Sequence, residues 1–392
     1  MSLAGRDLIT MSDLSVAEIH QLLDTAGQMA EAIGFDDPST RQNVARLDRI
    51  MATCFFEPST RTRLSFESAM LRLGGGVLGF AEAAASSVAK GESVADTARV
   101  VSGYADIMVI RHPLMGAAKV AADAASIPVI NAGDGPHAHP TQTLTDLFCI
   151  QRHRDTLEGL TVGLFGDLKF GRTVHSLGPV MARLGSRVIC IAPRELSMPQ
   201  RYLAQIEELS GERPSEVTDI RAALDELDVL YATRVQAERF DDPADAQRVA
   251  GSYVVDAELM AEAPEDMIVM HPLPRVDEIH PEIDDDPRAV YFEQAHGGVP
   301  MRMALVAHVL GLMEERPDFR GFERRQEPQA EAEPGRARPQ AEAERVPASA
   351  VGRCPNERCI TWEERFLAGF FHRLPSGDLQ CAYCEEIVDE DL

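Results

Sequence analysis

Apolar positions near the start of the chain, Ile19, Leu22, Leu23, Ala26 and Met29, fall on one helical face, and Ser15 and Glu18 precede them at capping-box spacing. This predicts an amphipathic first helix. Short apolar runs then alternate with helical stretches: Ile50 to Phe56 with a helix to Leu73, Ile107 to Ile110, Val129 and Ile130, and a helix from Pro140 to His153. The pattern restarts at Leu160 with a strand over Val162 to Phe165, a turn at Gly166 and Asp167, a helix to Leu184 and a strand over Arg187 to Ile191. Apolar strands at Val229 to Ala232 and Met267 to Met270 and an apolar helix at Met301 to Met313 complete it. Strands alternating with helices predict α/β folding around parallel sheets covered on both faces. The expected organisation is two α/β domains of similar size, 1–150 and 151–300, with 301–317 returning to the first.

From Glu323 to Arg345 no apolar residue is bulkier than Ala, and Pro-Gln-Ala-Glu-Ala-Glu occurs at 328–333 and again at 339–344. Such a segment cannot bury enough surface to order itself, so 318–350 reads as a disordered linker. The remaining unit, 351–392, is too small to fold without a staple.

Composition narrows the function. The 392 residues carry 38 Lys plus Arg against 63 Asp plus Glu, a net charge of −25, which opposes binding to nucleic acid or an anionic membrane surface. Any phosphate site must be locally basic. No apolar run is long enough to cross a bilayer, and a cytoplasmic protein is expected. Of seven cysteines, Cys54, Cys149 and Cys190 sit in apolar surroundings and read as core, while four crowd beyond residue 350, which argues against a secreted disulfide framework.

Phe55-Phe56-Glu57-Pro58-Ser59-Thr60-Arg61-Thr62-Arg63 runs from a strand end into a helix. Free helix-start amides, hydroxyls and Arg forks suit phosphate oxygens, although a well-capped helix with solvent-facing arginines has the same appearance. In Asn131-Ala-Gly-Asp-Gly-Pro-His137-Ala-His139-Pro140-Thr-Gln142 the glycines favour a tight turn and Pro140 starts a helix, directing His139 and Gln142 into one crevice. His137, with no partner in view, reads as a solvated loop histidine. Arg111 closes the run Met108-Val-Ile-Arg111-His112-Pro113 at a strand end, where ligands of parallel sheets gather.

Together these three motifs resemble the carbamoyl-phosphate half of the transcarbamoylase family. The resemblance implies that Ser59, Thr60, Arg61 and Thr62 grip the phosphate, that Arg61, Thr62, Arg111 and His139 surround the carbamoyl carbonyl, and that Gln142 meets its amino group. In the second half Asp167-Leu-Lys-Phe-Gly-Arg172, Thr233-Arg234-Val-Gln236-Ala-Glu-Arg239 and His271-Pro-Leu273-Pro274-Arg275 follow successive strands and resemble the aspartate-specific branch. An acceptor with two carboxylates wants bidentate cations, which Arg172 and Arg234, with Gln236, are suited to supply. The branch that acts on ornithine carries a cysteine where Pro272 stands. The resemblance further implies a cis Leu273-Pro274 bond aiming the Leu273 carbonyl at carbamoyl phosphate, closure through Glu57, Arg172 and Arg239, and a loop with Ser86 and Lys90 entering a neighbouring subunit's site, hence a homotrimer. Lys90 is expected to contact both substrates. Direct attack by the amine needs no cofactor; donors aimed at the developing oxyanion carry it, and the departing phosphate is the simplest proton acceptor.

Cys354-x4-Cys359 and Cys381-x2-Cys384, 21 residues apart, suit a closed four-thiolate structural zinc site. Two disulfides are the alternative, disfavoured in a reducing compartment. The run Cys-Pro-Asn-x-x-Cys-Ile resembles the zinc domain of the family's separate regulatory chain, here fused without the preceding nucleotide-binding domain. An assembly role is expected for it, through contact with the catalytic domains. A transcarbamoylase for another amine, a catalytically silent scaffold and a nucleic-acid zinc ribbon are the competing readings; the acidic end Asp389-Glu390-Asp391 speaks against the last. Gly163, Gly166 and Gly171 lack dinucleotide-fold spacing, which argues against a dehydrogenase.

Overall fold

The structure is a computed structural model that describes residues 2–36, 47–83, 87–235, 253–315, 345–364, 367 and 369–388. Helix α1 (Val16–Ala32) starts with the expected capping box: the Ser15 amide donates to Glu18 Oε2 at 2.8 Å and the Glu18 amide to Ser15 Oγ at 3.3 Å. There follow β1 (Ile50–Phe55), α2 (Thr60–Arg72), β2 (Gly76–Phe80), α3 (Val94–Val101), β3 (Ile107–His112), α4 (Ala117–Ala124), β4 (Val129–Asp134) and α5 (Pro140–Arg154). Next come β5 (Thr161–Gly166), α6 (Arg172–Arg183), β6 (Arg187–Ile191), α7 (Gln200–Ser210), β7 (Ser215–Val217), β8 (Val229–Thr233), β9 (Ile268–Met270) and α8 (Tyr291–Val309). The C-terminal module adds β10 (Arg345–Pro347), β11 (Phe370–Arg373), β12 (Leu379–Cys381) and β13 (Ile387–Val388).

Two compact units result, one of Met1–Ile9, Glu31–His137 and Val306–Leu392, the other of Thr10–Ala30 and Ala138–Leu305. Helix α5 thus groups with the second unit, with the expected boundary near residue 150 at its C-terminal end. The buried Asp146 carboxylate of α5 accepts from Tyr231 Oη on β8 and Gln294 Nε2 on α8, which ties that helix to the second unit.

In the first unit a parallel sheet runs β2-β1-β3-β4, with Cys54 opposite Ile110 and Val109 opposite Ile130. Its core of Ala52, Cys54, Met108, Ile110, Val120 and Val129 is continuous with Ile360, Phe371 and Tyr383 of the C-terminal module. That module is an antiparallel sheet β10-β11-β12-β13. Arg345, Val346 and Pro347 pair with His372, Phe371 and Phe370, so among the described residues the module includes a strand ahead of the expected 351. Residues 316–344, most of the expected linker, lie outside the described residues.

The second unit carries a parallel sheet β7-β6-β5-β8-β9 whose core includes Phe165, Ile189, Ile191, Leu230, Val269 and Tyr291. Helix α8 starts well ahead of the expected Met301, because Gly297, Gly298 and Pro300 interrupt the apolar pattern that would have announced its first half.

Candidate active site and zinc centre

In the first unit, α2 follows β1 almost directly. Ser59 is its N-cap, in extended conformation and with no side-chain capping bond, and the first backbone bond of the helix runs from the Arg63 amide to the Ser59 carbonyl. The first-turn amides at Thr60, Arg61 and Thr62 thus lie ahead of that ladder, at the positive end of the helix dipole. Thr62 is buried and Arg61 exposed. Arg111, in register beside Phe55, donates to the Ala132 carbonyl at 3.3 Å and pairs with Glu57 Oε2 at 2.9 Å. Burial lowers the Arg111 pKa, Glu57 restores part of it, and the nearby Arg61 charge lowers it again. The structure therefore gathers Glu57, Arg61, Thr62 and Arg111 in one locally basic place on an acidic protein. Lys90 ends a short 3-10 helix, exposed. Ser86 lies outside the described residues.

In the second unit, His139 caps α5 and is buried, its Nδ1 3.4 Å from Thr141 Oγ1. Gln142 donates from Nε2 to Asp146 Oδ1 at 2.8 Å. Arg172 opens α6 immediately after the turn from β5, a turn shaped by buried Asp167, whose Oδ1 accepts from the Phe170 amide at 2.9 Å. Arg234 directly follows β8, the neighbour of β5, with Gly166 opposite Thr233. The two arginines leave adjacent strand ends. The Leu273-Pro274 peptide is cis, as the resemblance implied, with Leu273 at φ 53. Gln236 and Arg239 lie outside the described residues.

The four C-terminal cysteines converge: their sulfurs all lie within 4.8 Å of one another, with Cys354 Sγ 3.6 Å from Cys384 Sγ and Cys359 Sγ 3.8 Å from Cys381 Sγ. A disulfide needs about 2.05 Å. A tetrahedral zinc with bonds of about 2.3 Å spaces its sulfurs by about 3.8 Å, so the donor set fits that ion closely.

The module packs on α3, α4 and the loops beside them. Met115 donates from its amide to the Arg358 carbonyl at 3.0 Å and accepts from the Ile360 amide at 2.9 Å. Glu364 Oε1 accepts from the Val94 amide, at the first turn of α3, at 2.6 Å. His137 is not the solvated loop residue expected: its side chain is only 8% exposed, with Nδ1 2.9 Å from Asp134 Oδ2 and Nε2 3.3 Å from Glu385 Oε2 of the module. Burial opposes its charge, but the two carboxylates outweigh that and raise its pKa well above the usual imidazole value. Asp134 is three residues away, but the second partner, Glu385, lies far along the chain, out of reach of local sequence reasoning.

Residues 6–152 match the family model described as the aspartate/ornithine carbamoyltransferase carbamoyl-P binding domain, and residues 158–309 match the Asp/Orn binding domain of the same family. The chain belongs to the aspartate/ornithine carbamoyltransferase family. Residues 349–392 match the metal binding domain of the aspartate carbamoyltransferase regulatory chain, so the fused zinc module expected from the cysteine spacing is present. Among the family's curated members, the aspartate carbamoyltransferase catalytic subunits of Thermococcus gammatolerans and Clostridium novyi are each 51% identical, covering 79% of this chain and 99% of their own. Among solved structures, the catalytic subunit of M. jannaschii aspartate transcarbamoylase superposes with a TM-score of 0.71 at 44% identity over 79% of this chain and 99% of its own. The Trypanosoma cruzi enzyme in complex with carbamoyl phosphate and aspartate gives 0.74 at 40% identity over 79% and 98%.

Within this family site, sequence reasoning overlooked Asp146, Tyr231 and Gln294. A signal existed: Asp146 is a carboxylate among Leu144, Leu147, Phe148 and Ile150, all buried on α5. Burial raises its pKa to about 7 despite hydrogen bonds from Gln294, Gln142 and Tyr231 and the charge of Arg302.

Proposed function

We propose that the chain transfers the carbamoyl group of carbamoyl phosphate to the amino group of L-aspartate, yielding N-carbamoyl-L-aspartate and phosphate for pyrimidine synthesis. One observation carries the choice of acceptor: Arg172 and Arg234 leave neighbouring strand ends, where two guanidinium forks match an acceptor with two carboxylates. Gln236 assists them. The phosphate is held by Ser59, Thr60, Arg61 and Thr62, with Ser86 and Lys90 reaching in from a neighbouring subunit of a homotrimer, where Lys90 also contacts aspartate. Arg61, Thr62, Arg111 and His139 donate to the carbamoyl oxygen. Gln142 and the carbonyls of Leu273 and Pro274 face the carbamoyl amino group.

The amine attacks the carbamoyl carbon, the C–O bond to phosphate breaks, and the leaving phosphate takes the amine proton. Rate enhancement rests on alignment and on donors aimed at the developing oxyanion. Glu57, Arg172 and Arg239 serve closure. Zinc, when bound, is held by Cys354, Cys359, Cys381 and Cys384 and keeps the module folded; exposed Trp362 and Ile387 leave it an apolar surface for further subunit assembly. Among the described residues no helix is long and apolar enough to cross a membrane, which supports a cytoplasmic setting.

The test is direct: purified protein is given carbamoyl phosphate with either aspartate or ornithine, and carbamoylated product and phosphate are measured. Product with aspartate alone is expected. Product with ornithine instead would overturn the acceptor assignment, and product with neither would favour a scaffold.

A further inference from the structure

We propose that Asp146 and Gln294 form a buried strut that orients two substrate-facing groups, the Gln142 amide and the Leu273 carbonyl, so that both present acceptors to the carbamoyl amino group. The inference deepens the proposed function and rests on it for the roles of Gln142 and Leu273.

The strut is a chain of hydrogen bonds inside the second unit. Gln142 Nε2 donates to Asp146 Oδ1 at 2.8 Å, and Gln294 Nε2 donates to the same oxygen at 2.7 Å. Gln294 Oε1 in turn accepts from the His271 amide at 2.8 Å, and His271 Nδ1 accepts from the Leu273 amide at 2.8 Å. Tyr231 Oη donates to Asp146 Oδ2 at 2.9 Å. Asp146, Tyr231, His271 and Gln294 are all 1% exposed or less, so water cannot substitute for any partner.

The consequence is one of polarity. A glutamine amide is nearly symmetric in shape and can present either its nitrogen or its oxygen. Oδ1 of Asp146 accepts from both amides, and still does so when the proton that burial favours sits on Oδ2 beside Tyr231, so Asp146 commits the Gln142 nitrogen inward and leaves Oε1 as the outward group. That oxygen can accept from an NH2 and has nothing to offer a methyl. The same carboxylate commits the Gln294 nitrogen, which leaves the Gln294 oxygen for the His271 amide and so sets the turn that carries Leu273. Asp146 touches no substrate; it is a positioning residue that enforces recognition of a carbamoyl over an acyl group.

The probes are carbamoyl phosphate and acetyl phosphate, which differ by NH2 against CH3, and the readout is the ratio of their affinities for the full chain, measured by calorimetry. A merely structural role would weaken both alike. Asp146→Leu is expected to lower the ratio by about ten- to a hundredfold, the worth of one buried hydrogen bond set adrift. Asp146→Asn keeps an oxygen toward Gln142 and Gln294 and turns its amide to Tyr231 Oη, a hydroxyl that can accept; it is expected to retain the ratio. If Asp146→Leu fails to fold, Gln294→Met, close in volume, cuts the Leu273 arm and is expected to lower the ratio too. An unchanged ratio in Asp146→Leu, or in Gln294→Met where only that variant folds, overturns the strut. Gln142→Ala separates the two levels: if it leaves the ratio unchanged, the assignment of Gln142 to the carbamoyl amino group fails; if it alone lowers the ratio, only the strut fails.

Discussion

Alanine at Gly116 should loosen the zinc module from its seat. Gly116 stands at φ +83 at the start of α4, and a Cβ placed on it lies 2.6 Å from Tyr383 Cβ and 2.7 Å from the Tyr383 carbonyl carbon and oxygen. Carbon atoms in good contact lie about 3.5–4.0 Å apart, so Tyr383 would have to retreat by about 1 Å. It cannot do so freely, because Cys381 and Cys384 flank it within the turn that holds the metal. The left-handed conformation costs a residue with a Cβ about 1–2 kcal/mol, and forcing atoms into a packed contact costs about 1–3 more. The sum, about 2–5 kcal/mol, falls on the two backbone hydrogen bonds of Met115 with Arg358 and Ile360 and on the Glu364 contact with α3. Hydrogen exchange in the full chain reads this: the Ile360 and Val94 amides should exchange faster by about thirtyfold to several thousandfold. Gly377→Ala is the control, since Gly377 has a similar φ of +97 but nothing within 4 Å of its added Cβ. It should leave both amides protected. If Gly116→Ala folds and both amides keep their wild-type exchange, the close packing of Gly116 on Tyr383 does not hold the module.

Metal removal should be visible through the chain's single tryptophan: Trp362 Nε1 donates to the Cys354 carbonyl at 2.9 Å, so chelation of one zinc per chain should shift its emission, and an unshifted spectrum with bound metal gone would show that the module folds without it. Stability should also depend on Asp146. Its pKa rises from 3.8 to about 7 on folding, so the folded state holds the proton more tightly and its contribution to stability is lost as pH climbs through that interval, to about 4 kcal/mol above pH 7. Asp146→Asn escapes this loss, so its stability relative to wild type in urea unfolding should climb from pH 4 to pH 7 and then level off. A difference flat with pH would refute the buried charge.

What the sequence by itself determined is chemistry carried by short contiguous runs. Ser59 to Thr62 at a strand-to-helix junction and the paired cysteines stand out as candidates by residue type and offset alone, and Arg111 by its place at a strand end, although its partners Glu57 and the Ala132 carbonyl lie far off in the chain. Strands β1, β3, β5 and β8 were legible for a similar reason: buried on both faces, they read as apolar runs. Strand β2, with glycine at two of its five positions, and the first half of α8, broken by Gly297, Gly298 and Pro300, carried no such run. Tertiary structure alone decided the rest. His137 acquires Glu385 and Gln142 acquires the Asp146–Gln294 network through partners up to some 250 residues distant in the chain, and the buried carboxylate on α5 finds its partners in Tyr231 and Gln294. Local pattern reports which face of an element is apolar; which polar group is sealed beside which is settled only when desolvation leaves each with no alternative to the partner the fold supplies.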